Sequence, residues 1–321
     1  MRSTEFAPCL IAAVASAVVP LRAVRAQEVA PGFAVERLRL SPPGSDWLVM
    51  DGMDWPESLG GSASLSLGYA HRPLVVGGLA VVEHQAFFDV GLAVSDYRFR
   101  LDAHFASPMY VAGQSGVAAG ASFAAPVANV EQNPDTIADG QIGLTYRIAG
   151  DAAAPFRLGA KAQLIFPSGD RSDYLTDGTY RGTGTVLVAG EGARFSYAGH
   201  AGVHVRPLDS GIPENPRGSE LLFGAAAGAK LALGGTTMML LGPELHGATA
   251  FRSFFGSDAT AIEGLLTMSV KRRVSASSEL AIKAGAGAGL HPHFGAPRWR
   301  AVIGIELRGV LERNSDSRTA K

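Results

Sequence analysis

The side chains with the widest chemical reach in this sequence are its eight histidines, and their spacing limits what they can do. His200 and His204 are four residues apart, which in a strand is roughly 13 Å at about 3.3 Å per residue, too far to chelate one ion. His291 and His293 flank Pro292 and make half a metal site at most. His84, His104 and His246 invite comparison with a hydrolase that places Ser, His or Asp at a rim, but none has a partner at motif spacing. Asp170, Asp173 and Asp177 suit calcium in type, yet lack the ligand spacing and final Glu of an EF-hand loop. Gly285, Gly287 and Gly289 alternate with alanines and open no helix, so they form no phosphate loop; small residues there leave room for neighbouring side chains. The expectation is a protein without catalytic residues, metal or cofactor.

Bulk composition narrows the classes further. Lys plus Arg number 28 against 29 Asp plus Glu, so there is no basic field and no nucleic-acid partner is expected. With 47% hydrophobic and 18% charged residues the chain is too apolar for disorder. Arg2, the apolar run Leu10 to Leu21 and the small residues Val24 and Ala26 predict an export signal over 1–26, cut before Gln27. Cys9, the single cysteine, falls inside it, which excludes disulfides, thiol catalysis and cysteine zinc sites from the exported chain. The nearest approach to a spanning helix, Leu221 to Gly242, carries Lys230 mid-span and Gly224, Gly228, Gly234 and Gly235 as helix weakeners.

The dominant signal is period two. Tyr97 to Phe105 puts Phe99, Leu101 and Phe105 on one face and Arg98, Arg100, Asp102 and His104 on the other. The same alternation recurs in Gln141 to Ile148, Phe156 to Leu164, Arg194 to Arg206, Leu280 to Leu290 and Arg298 to Arg308. Weaker copies lie at Ser62 to Tyr69, Glu83 to Val94, Thr183 to Ala189, Glu220 to Leu231, Leu241 to Thr249 and Thr260 to Val270, giving an even count of strands. Short and long connections alternate between them. That describes an all-β, closed, antiparallel up-and-down transmembrane barrel of twelve strands, with short periplasmic turns and longer extracellular loops.

Charge sorts by parity. The apolar parity predicts lipid-facing Phe99, Leu101, Leu144, Leu158, Leu164, Val203, Ile282, Ile303 and Ile305. The other parity predicts lumen-lining Arg98, Arg100, Asp102, Arg147, Arg157, Lys161, His200, His204, Glu220, Lys230, Glu244, Glu263, Lys283, Arg300 and Glu306. Arg206, Arg298, Arg308, Asp89 and Asp139 fall on it too. A cation at the midplane of the lipid face costs roughly 2–4 kcal/mol, and no charge lies on that parity. A soluble β-sandwich or lipocalin-like barrel also alternates, but its solvent face is richer in Lys, Glu and Thr than this Gly-rich parity.

Phe33 to Gly52, reading FAVERLRLSPPGSDWLVMDG, resembles the lead-in of the N-terminal β-barrel region of myxobacterial OmpA-type outer-membrane proteins. Val82 to Gln85, Phe166 to Arg171, Gly218 to Gly224 and Gly242 to Leu245 are similar to recurrent blocks of that region, so the likeness extends from Phe33 to about Leu311. It implies an outer-membrane barrel over 59–311, preceded by a lead-in over 27–58 that is either periplasmic or lumen-plugging. Members commonly continue into acidic calcium-binding repeats and a periplasmic peptidoglycan-binding domain. Here a flexible periplasmic tail, 312–321, is expected instead, and peptidoglycan anchoring is not carried over.

Three functions remain open at this point. One is a passive pore for small solutes with weak anion preference, following the excess of lumen cations. Another is a plugged structural or adhesive barrel that presents its loops. The third is a transporter of apolar small molecules, hinted at by Phe87, Leu222, Leu240 and Leu265 on the lumen parity. All three place the chain in the outer membrane of a Gram-negative cell. Expected partners are outer-membrane lipid and lipopolysaccharide, the barrel assembly machinery and small solutes.

Overall fold

The computed structural model describes residues 30–129, 131, 136–208, 218–257, 259–291 and 295–310. The expected signal over 1–26, the expected tail 312–321 and His293 lie outside the described residues. The strands are β1 (Gly60–Val76), β2 (Leu79–Asp96), β3 (Phe99–Ala112), β4 (Gly116–Ala118), β5 (Ala121–Phe123), β6 (Gln141–Ala149) and β7 (Arg157–Ile165). They continue as β8 (Arg181–Glu191), β9 (Phe195–Val205), β10 (Glu220–Gly234), β11 (Thr237–Ala250), β12 (Thr260–Arg273), β13 (Ser278–His291) and β14 (Trp299–Val310). All but β4 and β5 form one closed barrel of antiparallel sequential neighbours, with β3 passing to β6. Closure comes from β14 pairing with β1, from Gly60↔Val310 to His71↔Trp299. Each of the twelve alternating segments is one barrel strand.

Alternation folds this sequence inside out relative to a soluble protein. On β3, Phe99, Leu101 and Phe105 are more than half exposed, whereas Arg100, Asp102 and His104 are 1%, 1% and 2% exposed. A charged inner face and an apolar outer face suit a barrel surrounded by hydrocarbon. Phe99, Leu101, Leu144, Leu164, Val203, Ile282, Ile303 and Ile305 are all exposed on the outside, and Leu158 is half-buried there.

The barrel has two unlike ends. The turn end carries Tyr97-Arg98, 150–156, 192–194, Gly235-Thr236 and 274–277, together with the start of β1 and the end of β14. The loop end carries the described residues of the connections after β3, β7, β9, β11 and β13. One tight hairpin breaks this pattern. β1 and β2 run past their neighbours and join at Gly77-Gly78, whose φ angles of 52° and 87° match a primed turn that glycine adopts without strain. The connection after β3 starts only beyond Ala112 and carries the β4–β5 hairpin. Leu74, Val76, Val81, Val82, Ala118 and Phe123 from these hairpins pack with Phe33, Val35, Tyr174 and Leu175 into an apolar cap.

Candidate functional site: a lumen filled by its own chain

The lead-in lies inside the barrel and runs its full length. At the loop end Ala30 N–H donates to Ser122 O at 2.8 Å, and Val35 N–H to Tyr174 O at 3.1 Å. Midway, Gly44 N–H donates to Glu306 Oε1 at 2.7 Å. At the turn end Trp55 Nε1–H donates to Tyr97 O at 3.3 Å, and β1 begins five residues later.

In the half nearer the turn end, backbone groups and apolar side chains share the contacts with a few ion pairs. The successive N–H groups of Leu48, Val49 and Met50 converge on the Glu244 carboxylate at 2.8, 2.9 and 2.7 Å, a backbone nest around an anion. Trp47, Leu48, Met50 and Met53 fill positions opposite inward-facing glycines. A Cβ at Gly285 would lie 2.6 Å from Leu48 Cδ2, and one at Gly159 would lie 2.4 Å from Met53 Sδ. Gly228 and Gly224 make the same allowance for Trp47 and Met50. Trp55 lies beneath two guanidinium groups, Arg100 at 4.5 Å and Arg147 at 4.8 Å from a ring centroid. Asp51 pairs with Arg100, and Asp46 with Lys271 at 2.6 Å and Arg308 at 3.2 Å.

In the half nearer the loop end, ion pairs dominate. Glu36 takes two hydrogen bonds from Arg300, at 2.8 and 2.9 Å, and Arg300 also binds Glu263 at 2.8 Å. Arg37 pairs with Glu220 at 3.0 Å. Arg206 bridges Glu220 at 2.9 Å and Asp177 at 2.7 Å, and Asp177 Oδ1 accepts the Ala34 N–H at 2.9 Å. Burial alone would raise the Asp177 carboxyl; the hydrogen bonds and charge of Arg206, helped by Arg181, instead hold it well below the usual carboxylate range.

Most residues of the inward parity therefore touch the lead-in or one another. Arg100, Asp102, Arg147, Arg157, Lys161, His204, Glu220, Glu244, Glu263, Lys283, Arg300 and Glu306 are buried inside the barrel. His200 is half-buried against a cavity there, and Lys230 pairs with Glu191 near the turn-end mouth. Two assignments need correction. Arg98 sits in the β2–β3 turn, where it donates to Ile148 O at 2.9 Å in an exposed position, and Arg298 is exposed in the bend before β14. Alternation stops where the ladder stops, so parity said nothing about either. Phe87, Leu240 and Leu265 pack in one cluster with Trp47, Leu48 and Met50 instead of lining a greasy path.

The histidines scatter. His84 accepts or donates with Tyr69 Oη at 2.6 Å within an aromatic group that includes Trp299, and His104 meets Asp89 at 2.9 Å. His204 is held by Glu220 at 3.1 Å and by Arg39. Asp170, Asp173 and Asp177 each turn to a different partner, and no metal-competent cluster occurs among the described residues.

What remains of the lumen is divided. One cavity of about 90 Å³ lies between the lead-in and the wall from β7 to β12, and another of about 100 Å³ lies against β2, β3 and β6. A vestibule of about 330 Å³, lined by Asp54, Trp55, Lys271 and Arg308, opens at the turn end. The sequence concealed the residues that fill the barrel, Glu36, Arg37, Asp46, Trp47, Met50, Asp51, Met53 and Trp55, because they follow no period. The available signal was the inward glycines, which leave more space than wall side chains fill.

No known protein family matches the sequence, and no curated protein is similar to it. Among solved structures, an outer-membrane channel from Pseudomonas putida F1 is similar over 81% of this chain and 98% of that one, at 12% identity and a TM-score of 0.53. The NanC porin matches over 78% and 100% at 7% identity and a TM-score of 0.46. The CymD monoaromatic hydrocarbon channel matches over 81% and 90% at 10% identity and a TM-score of 0.41. At these identities the likeness is one of fold.

Proposed function

We propose that the chain is a channel protein of the bacterial outer membrane, exported by a cleaved signal peptide, whose pore is closed at rest by its own lead-in. Small solutes pass when that segment gives way, with weak preference for anions because inward cations outnumber inward carboxylates on the wall. The short turns face the periplasm and the long loops the exterior. The manner of closure carries this reading. Much of the contact between lead-in and wall is charged or hydrogen-bonded, through Glu36, Arg37, Asp46, Asp51 and the Glu244 nest. Apolar filling serves a permanently solid barrel as well or better, since buried ion pairs often gain nothing over packed hydrocarbon. Polar contacts, by contrast, are exchanged for water when a segment moves. The likeness to an outer-membrane channel supports the same reading.

The test is single-channel recording in a planar bilayer, comparing the refolded mature chain with a form lacking residues 30–55. Rare, small steps from the full chain and frequent, larger, mildly anion-selective steps from the shortened one are expected. Silence from a shortened barrel that is folded and inserted would replace the channel with a structural outer-membrane protein.

A further inference from the structure

The 90 Å³ cavity has an unbalanced set of polar groups. On one side stand Arg39, Ser41 and Val49 of the lead-in; on the other, Leu187, His200, His204, His246 and Glu263 of the wall. Nearly every charge around it is already matched: Arg37 with Glu220, Lys161 with Asp102, Asp51 with Arg100, and Glu263 with Arg300. Arg39 is the exception. Its Nη2 meets the His204 ring at 3.1 Å, its Nη1 is buried without a partner, and it has no carboxylate partner among the described residues. A buried guanidinium in that state fits a planar anion that accepts two parallel N–H bonds.

The opposite wall holds buried polar atoms without hydrogen bonds. His246 and Glu263 are 7% and 2% exposed, and both His246 ring nitrogens and Glu263 Oε2 are buried without a hydrogen bond. Their 3.6 Å separation exceeds hydrogen-bond length. A hydroxyl group seated beside the pair donates to Glu263 Oε2 and accepts from one imidazole N–H, giving each residue a partner. Val49, Leu187, Ala248 and Ala261 supply an apolar floor for a short carbon chain. The volume holds roughly six to nine waters' worth of atoms.

We propose that this cavity binds a small hydroxylated carboxylate, its acid on Arg39 and a hydroxyl shared by His246 and Glu263. This names a solute class for the channel reading above, on which it rests. Because Arg39 belongs to the lead-in and His246 to the wall, the bound acid bridges the two and stabilises the closed form.

Three probes of equal carbon number separate the parts: glycerate has both features, propionate lacks hydroxyls and glycerol lacks charge. Calorimetry and thermal unfolding of the refolded chain in detergent should show glycerate binding at least tenfold tighter than either of the others and raising the unfolding temperature. Arg39→Gln should reduce glycerate to the level of glycerol, and His246→Phe to that of propionate. Ala248→Leu fills the cavity without touching a polar group and should abolish binding, which keeps the test decisive if a polar variant misfolds. Equal binding of all three probes, no binding to a folded chain, or an unchanged Arg39→Gln overturns the site. Conductance without glycerate binding removes the site alone; glycerate binding with a silent shortened barrel removes the channel alone.

Discussion

The lead-in is held differently at its two ends. From Ala34 to Arg39 its partners are Arg300, Glu220, Arg206 and Asp177, buried charges that gain little over packed hydrocarbon and that water solvates once they separate. From Gly44 to Trp55 its partners are glycine-lined hollows, guanidinium faces and one carboxylate shared by three N–H groups, beside the ion pairs of Asp46 and Asp51. Side chains in such hollows lose packing outright when they leave. If the proposed channel opens, the loop-end half is expected to release and the turn-end half to stay as the anchor.

The largest effect should come from the anchor. Trp47→Ala vacates a fully buried aromatic position, a change worth about 3–5 kcal/mol, and should raise channel open probability by more than tenfold in planar bilayers. Gly285→Leu should act similarly by driving its new side chain into Leu48. Next is Glu244→Ala, which strands three buried N–H groups at about 1–3 kcal/mol each before water enters. Limited proteolysis of the lead-in should report it. Arg206→Gln should free only the loop-end half, visible as faster cleavage near residue 34 with residues 44–55 still protected. If Arg206→Gln opens the channel as far as Trp47→Ala does, the division between anchor and release is wrong.

Acid should separate the halves as well. The Asp177 carboxyl is depressed in the folded chain, so its contribution is present above the ordinary carboxylate value of about 4 and lost as pH falls below it. Hydrogen exchange should then rise around residues 34–39 before it rises around 48–50. The smallest effect belongs to Lys283→Ala, since Glu306 keeps Arg308 at 2.7 Å and the Gly44 N–H. Assembly should survive that change, whereas Ile303→Arg on the outer face should impair insertion by roughly 2–4 kcal/mol. Heat-modifiable gel mobility distinguishes the two outcomes.

The wall was legible in the sequence because every strand buries one face and exposes the other, so even weak segments such as Thr183 to Ala189 kept their parity. Arg98 and Arg298 were misplaced where that rule was carried beyond the ladder. The β4–β5 hairpin escaped because strands of three small residues are too short to show a period. The filling of the lumen was hidden for a different reason. Glu244 reads as a pore charge from its own strand, and its role as an N–H acceptor is visible only with residues 48–50 beside it. A segment that conforms to a wall carries no repeat of its own.

The path of the lead-in also orders events in time. Its first described residues meet the loop-end hairpin, while its last ones feed β1 at the opposite end, and β1 is one edge of the seam with β14. Passing this segment through a finished cylinder would drag Trp47, Arg37 and Glu36 along a crowded charged bore. A sheet that is still open can instead receive it across the inner face and then curl around it. The β1–β14 seam is where such a sheet would close, with the segment inside as the mandrel around which the cylinder fits.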